Sequence, residues 1–426
     1  MGIAAQWAQK ADLLRRYDGP IIFREMRPIL ARGRLLQIPP FNRRAILAGT
    51  GAALISGPAA RGAAPTNDWQ TVSPVEANFF DLEARFDKLV VDRRVWNLHG
   101  VVVARGGRIV FERYFEGEQN SWGKLLGRTW HGPDTLHNLY SVTKSVVALI
   151  YGVALAERKV PPPDAPLYDL FPEYRELVEI DPRRKERTIA HALTMTLGLQ
   201  WDEVLIPYSD PKNDEIGMEM SKDRYRFVLE RPVIGAPGKR FLYSGGATAL
   251  LGRIIAKGTG QPLPAYARAA LFGPLGLGPT EWITNGETWV AAKYGAGDGE
   301  PVVASGLRMT TRDLARIGQL VLDAGTAGGK QLLAAGWLNE CLTPRVSVDE
   351  QRRYGYQWYV GDFEYGSREQ PRLDRWVGCF GQGGQRLFVM PDLDLVVAVT
   401  AGNYGKADQW IPPIRVMREA VLASIK

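Results

Sequence analysis

Ser141 and Lys144 are the residues of this 426-residue sequence whose types and spacing most directly promise chemistry. A serine hydroxyl is a poor nucleophile until a base takes its proton, and an amine one helical turn away can be that base without any histidine. The S-x-x-K spacing alone is weak, because it occurs three times, as Ser121-Trp-Gly-Lys124, Ser141-Val-Thr-Lys144 and Ser209-Asp-Pro-Lys212. Glycine in the first and proline in the third speak against two side chains held on one helical face. Only Ser141 stands at the entrance of a long apolar run, Leu139 to Glu157, which reads as a buried helix ended by Pro161-Pro162-Pro163. The unfulfilled amides and positive end of that helix would surround Ser141, while burial would penalise the charged form of Lys144 and leave it able to accept the Ser141 proton. The plainer alternative is a serine that caps the helix and a lysine that reaches out to water.

Two further pieces favour the chemical reading. Tyr243-Ser244-Gly245 follows the Pro237-Gly238 turn and precedes a helical run from Ala247 to Lys257, and a tyrosine there can relay a proton between nucleophile and leaving group. Gly381-Gln382-Gly383-Gly384-Gln385 leads into the strand Arg386–Met390, where glycines allow a substrate carbonyl to approach and a free amide to complete an oxyanion hole. Other chemistries find less support. None of His99, His131, His137 and His191 belongs to an HExxH or HxH pattern, so the sequence predicts structural or surface histidines and no zinc hydrolase. No GxSxG elbow occurs, and Gly49-Thr50-Gly51 has no strand before it to make a dinucleotide loop.

The elements that must position these residues change period along the chain. Ala77 to Arg94 carries Phe79, Phe80, Leu82, Phe86, Leu89 and Val90 near helical spacing and reads as an amphipathic helix. Gly100–Ala104 and Arg108–Phe115, joined through Gly106-Gly107, read as a hairpin. Helical runs follow at Ile189–Met195, Tyr225–Leu229, Ala247–Lys257, Pro264–Leu271 and Arg312–Asp323, and strands return at Tyr354–Val360, Gln385–Met390 and Leu395–Thr400. Strands at both ends around a helical middle predict an α+β body, an antiparallel sheet flanked by helices with an inserted helical lobe over roughly residues 140–320. Trp201, Tyr208, Trp358 and Trp376 are either cleft aromatics or core.

Charge is distributed unevenly. Residues 1–64 hold ten of the 53 Lys and Arg but three of the 46 Asp and Glu, which leaves 43 of each sign in residues 65–426 and accounts for the whole net charge of +7. A neutral body offers no footprint for a phosphate backbone, so nucleic acid is not an expected partner. Arg43-Arg44, the Gly- and Ala-rich run Ala45 to Gly57 and the small residues Gly62-Ala63-Ala64 read as a Tat-type signal, too short and glycine-rich for a stable membrane span. The expected partner is then the Tat export machinery, and the expected location periplasmic or secreted. Cys341 and Cys379 lack the CxxC spacing of a redox or zinc site and read as two buried thiols.

From about Phe79 to the C-terminus the chain resembles the penicillin-recognising serine hydrolases, in particular the class C β-lactamase-like group with its esterases and 6-aminohexanoate-dimer hydrolases. The resemblance rests on Leu139–Ser145, Ile189–Leu199, Phe241–Gly246, Ala304–Leu314 and Gly381–Gln385. It implies a β-lactamase/transpeptidase-like fold, Ser141 as the acylated nucleophile, Lys144 as its base, Tyr243 as the proton relay, and the Ser141 and Gln385 amides as the oxyanion hole, without metal or organic cofactor. Two departures bear on substrate. The family's Tyr-x-Asn element ends here in Gly245, and its Lys-Thr-Gly element appears as Gln382-Gly383-Gly384. The missing asparagine and lysine help hold β-lactams and D-Ala peptides, so the expectation is a hydrolase of a small ester or amide. A β-lactamase or D-Ala peptidase, and a non-catalytic scaffold of the same fold, are the alternatives.

Overall fold

The computed structural model describes residues 69–425, apart from 122–123, 296, 298 and 368. The signal expected in residues 1–64 lies outside the described residues, as do the side chains of Ser121 and Lys124. The backbone places those last two opposite each other in a hairpin of β3 (Glu116–Ser121) and β4 (Lys124–Trp130), not on a helix.

The expected first hairpin forms as β1 (Leu98–Arg105) and β2 (Arg108–Tyr114). Its turn needs glycine, because Gly106 and Gly107 have φ of 59° and 71°, the pair of left-handed conformations that a two-residue hairpin turn requires. Two short strands before the helical region's end, β6 (Glu281–Trp282) and β7 (Leu307–Met309), make a small sheet with β5 (His137–Asn138). After it come β8 (Val346–Ser347), β9 (Arg353–Tyr354), β10 (Tyr359–Gly366), β11 (Pro371–Gly381), β12 (Gln385–Met390) and β13 (Leu395–Ala401). Eight strands build one antiparallel sheet in the order β8-β9-β10-β11-β12-β13-β1-β2, so the two ends of the chain meet where β1 pairs with β13.

Both faces of that sheet are buried, and strand alternation sorts the residues between them. Val102, Ala104, Leu387, Val389, Val396 and Ala398 share a core with α2 (Val142–Ala156), α4 (Gly245–Thr259) and α5 (Thr311–Leu322). Val101, Val103, Phe388, Met390, Val397 and Val399 pack instead on α1 (Leu82–Val91) and on Val416, Met417, Ala420 and Val421 near the C-terminus. Each such side chain stabilises the fold by about 1.5–3 kcal/mol when fully buried. Gly318 lets α5 lie close on the sheet, since a Cβ there would fall 2.6 Å from Val396 Cγ1.

The differences from expectation are local. The helix expected over residues 77–94 begins at Leu82, because Asn78 takes a φ of 61° and residues 74–79 turn first. β11 was not legible as a strand: it starts at Pro371, its first half carries the half-buried Arg372, Asp374 and Arg375 with an exposed Leu373 among them, and only from Trp376 does it enter the core.

Candidate active site

Ser141 is the N-cap residue of α2, half-buried, and it is preceded by Tyr140 at a φ of 46°. That left-handed turn, with Tyr140 set against the Tyr404 ring at 5.4 Å, carries the chain abruptly from β5 into the helix. The capping alternative fails, because the Ser141 side chain makes no cap hydrogen bond. The reach-to-water alternative fails too: Lys144 is 2% exposed, and its Nζ donates to Ser141 Oγ at 3.1 Å and to the Ala304 carbonyl at 3.2 Å. Ser209 and Lys212, by contrast, lie exposed in a loop.

Tyr243 sits in the stretch before α4, its ring 4.9 Å from Lys144 Nζ and its hydroxyl toward Ser141. Burial, with the nearby Tyr359 and Glu203, pushes this phenol well above its ordinary range, so it stays protonated. Phe241, Tyr354, Tyr359 and Phe380 continue from it as a run of touching rings at 5.0, 4.8 and 4.9 Å. Phe241, Tyr243, Tyr359 and Phe380 are only half-buried and so offer an apolar wall beside the nucleophile.

The sequence reading missed Glu203. Its carboxylate lies 3.9 Å from Lys144 Nζ and is itself 2% exposed. Trp201 Nε1 donates to it at 2.9 Å, Tyr208 Oη at 3.0 Å and the Gly245 amide at 2.5 Å. Of the four aromatics in question, Trp201 and Tyr208 therefore serve the site by holding Glu203, while Trp358 and Trp376 are core. Gln357, also unforeseen, knits the platform together: it takes hydrogen bonds from Ser145 Oγ on α2 and Thr248 Oγ1 on α4, and donates to the Ala192 and Leu193 carbonyls.

Gly245 has a different duty from the one expected. It is buried, and a Cβ on it would fall 1.9 Å from Glu215 Oε2. Glu215, on α3 (Asp214–Met220), thus occupies the space a side chain at position 245 would fill. Glu215 Oε2 has no hydrogen-bond partner, and burial together with Glu203 raises this carboxyl well above 4.5, which favours its neutral form.

The glycine turn also resolves into parts. Gly381 comes so close to the segment before Ser141 that a Cβ would fall 2.1 Å from the Leu139 carbonyl oxygen. Gly383 and Gly384 are buried turn residues with φ of 87° and 99°; the Gly383 amide donates to Gln409, and its carbonyl accepts from the Asn403 amide at 2.9 Å. Gln385 lies inside the sheet, paired with Gly381, its side chain bonded to Ala401 and to the Gln382 carbonyl. Gln382 alone of the turn is half-buried.

Three of the four histidines, read from the sequence as structural or surface residues, lie together: one ring nitrogen each of His99, His131 and His137 falls within 4.8 Å of the others. His191 is occupied elsewhere, accepting from the Thr188 amide at 3.0 Å in a helix cap. Cys341 and Cys379 are free and buried, and burial holds the Cys379 thiol up at about 12. Among the described residues no helix is long and apolar enough to cross a membrane.

Comparison with known proteins agrees with this geometry. The 6-aminohexanoate-dimer hydrolase of Paenarthrobacter ureafaciens is 25% identical over 354 residues, 78% of this chain and 76% of that protein. Esterase EstB of Burkholderia gladioli is 33% identical over 230 residues, 52% of this chain and 56% of the relative. A class C beta-lactamase from Rhodobacter sphaeroides shares the fold with a TM-score of 0.57 at 19% identity, over 80% of this chain and 99% of that one. The family model described as Beta-lactamase matches residues 90–417, and this chain is accordingly a hydrolase of the serine beta-lactamase family, with the beta-lactamase/transpeptidase-like fold expected of it.

Proposed function

We propose that this protein cleaves a small ester or linear amide through an acyl-enzyme on Ser141, and that it does so after export from the cytoplasm. The observation that carries the reading is the 3.1 Å contact between Lys144 Nζ and a Ser141 Oγ that caps nothing. Lys144 takes the Ser141 proton as Oγ attacks the substrate carbonyl carbon, and Glu203 steadies the ammonium so formed. The Ser141 amide at the head of α2 donates to the oxyanion. The second donor is the Gln385 amide at the start of β12, paired with Gly381, which itself passes close to Leu139 just before Ser141. Tyr243 enters this step as a neutral phenol and so gives its proton to the departing alcohol or amine, taking one back from Lys144. Water then attacks the acyl carbon, its proton passing to the same base, and Ser141 is released with the carboxylic acid.

Small esters and linear amides are favoured over β-lactams and D-Ala peptides by Gly245, whose side-chain space Glu215 fills, and by the neutral Gln382. The names of two relatives, an esterase and a 6-aminohexanoate-dimer hydrolase, point to the same two substrate classes. Support for export comes from Arg43-Arg44, the Gly- and Ala-rich run and the charge excess confined to residues 1–64, with the Tat machinery as the partner. An active-site-directed fluorophosphonate tests the chemistry: it should label the protein once, at Ser141, and Ser141→Ala should abolish labelling. Labelling that survives this substitution defeats the assignment.

A further inference from the structure

His99 stands on β1, His131 directly after β4 and His137 on β5, and they are 1%, 1% and 3% exposed. The Nδ1 atoms of His99 and His137 are 3.3 Å apart. The His131 ring stacks on His99 with centroids 3.6 Å apart and lies 5.2 Å from His137. His99 Nε2, His137 Nε2 and both nitrogens of His131 have no hydrogen-bond partner. Buried polar atoms are almost always partnered, and His131, with neither ring nitrogen bonded, stands beside the His99–His137 Nδ1 pair as the group a shared ligand would satisfy.

We propose that His99, His131 and His137 bind one divalent ion of the zinc type, with a water or hydroxide as fourth ligand. Zn–N bonds of about 2.0–2.1 Å in a tetrahedron set neighbouring ligand nitrogens about 3.3 Å apart, the separation His99 and His137 already have. His131 must turn about its Cβ–Cγ bond from the stacked position to aim a lone pair at the same point. That turn breaks no hydrogen bond, because neither of its nitrogens makes one. An all-nitrogen site selects zinc, copper or nickel over calcium and magnesium, which take oxygen. Arg308 faces His137 and would repel the ion, but its charge is met by Glu281.

The site is separate from Ser141 and its role is positional. It would tie β1, the end of the β3–β4 hairpin and β5, and β5 runs through Asn138, Leu139 and Tyr140 straight into Ser141. The test uses untagged protein stripped by a chelator and titrated with Zn²⁺ in a calorimeter and with Co²⁺ in a visible spectrometer. The expected result is one ion per chain, a tetrahedral Co²⁺ spectrum and a thermal midpoint that rises with Zn²⁺. His131→Gln and His137→Gln should lose stoichiometric binding, while His191→Gln should keep it. No binding by wild-type protein, an octahedral Co²⁺ spectrum, or equal binding by the triad variants would overturn the site. Where a variant fails to fold, the wild-type Co²⁺ spectrum decides, since it reports the ligand number and type directly.

Discussion

Glu215→Gln isolates the most unusual charge arrangement around the nucleophile. The wild-type carboxyl is buried, unpartnered at Oε2 and raised well above 4.5, and glutamine is the nearest shape to its neutral form. Below about pH 4.5 the group is protonated in the folded and the unfolded chain alike, so it adds no pH dependence there. Above that value the unfolded chain releases a proton that the folded protein keeps, and the unfolded state gains. Stability of the wild type therefore falls by about 1.4 kcal/mol for every pH unit until the folded carboxyl itself ionises. In a body of this size 1.4 kcal/mol moves the thermal midpoint by roughly 2 °C.

The assay is the thermal midpoint of both proteins across about pH 5 to 8, read as a difference so that every other titrating group cancels. Glu215→Gln should gain on the wild type by roughly 2 °C per pH unit as pH rises, for a total of about 4 kcal/mol over three units if the carboxyl stays neutral throughout. Two parallel profiles would refute the reasoning, because they would mean that Glu215 is ionised in the folded protein and that the space beside Gly245 holds a charge.

Ser141→Ala and Lys144→Ala should each lower ester turnover by about 10⁴-fold or more, measured as kcat/KM, while Ser209→Ala in its exposed loop leaves it unchanged. Gly245→Asn should destabilise by about 3 kcal/mol or more in urea unfolding, since its Cβ would strike the Glu215 carboxyl, and adding Glu215→Gly should recover most of the loss. For short-chain p-nitrophenyl esters kcat/KM should exceed that for benzylpenicillin, and Gln382→Lys should raise the penicillin value by about ten- to a hundredfold; equal wild-type efficiencies would promote the β-lactamase reading. Arg43→Lys with Arg44→Lys should hold the protein in the cytoplasm by fractionation, and secreted wild-type protein should begin near Pro65 on N-terminal sequencing.

What could be read from the sequence is what local chemistry determines. Ser141 and Lys144 share one turn of one helix, the Gly106-Gly107 hairpin is closed by its own two residues, and the nearly unbroken apolar run of β13 declares a strand buried on both faces. The contacts that hold Lys144 in place are not local at all: its carbonyl partner Ala304 is 160 residues away in sequence, and Glu203 arrives on a loop held by Trp201, Tyr208 and the Gly245 amide. Gly245 shows the limit most clearly. From sequence it is a missing asparagine, a hydrogen bond lost. In the fold it is a position where any side chain would collide with the Glu215 carboxyl from another helix, and where the backbone amide secures the carboxylate beside the base. The same limit hid the histidines, whose spacing matches no metal motif because they come from a strand of the large sheet, the end of a hairpin and a strand of the small sheet, which only the tertiary fold brings together. Residue type and short-range spacing specify which groups can react; burial and long-range pairing decide their protonation, and that part of the chemistry is written only in the tertiary structure.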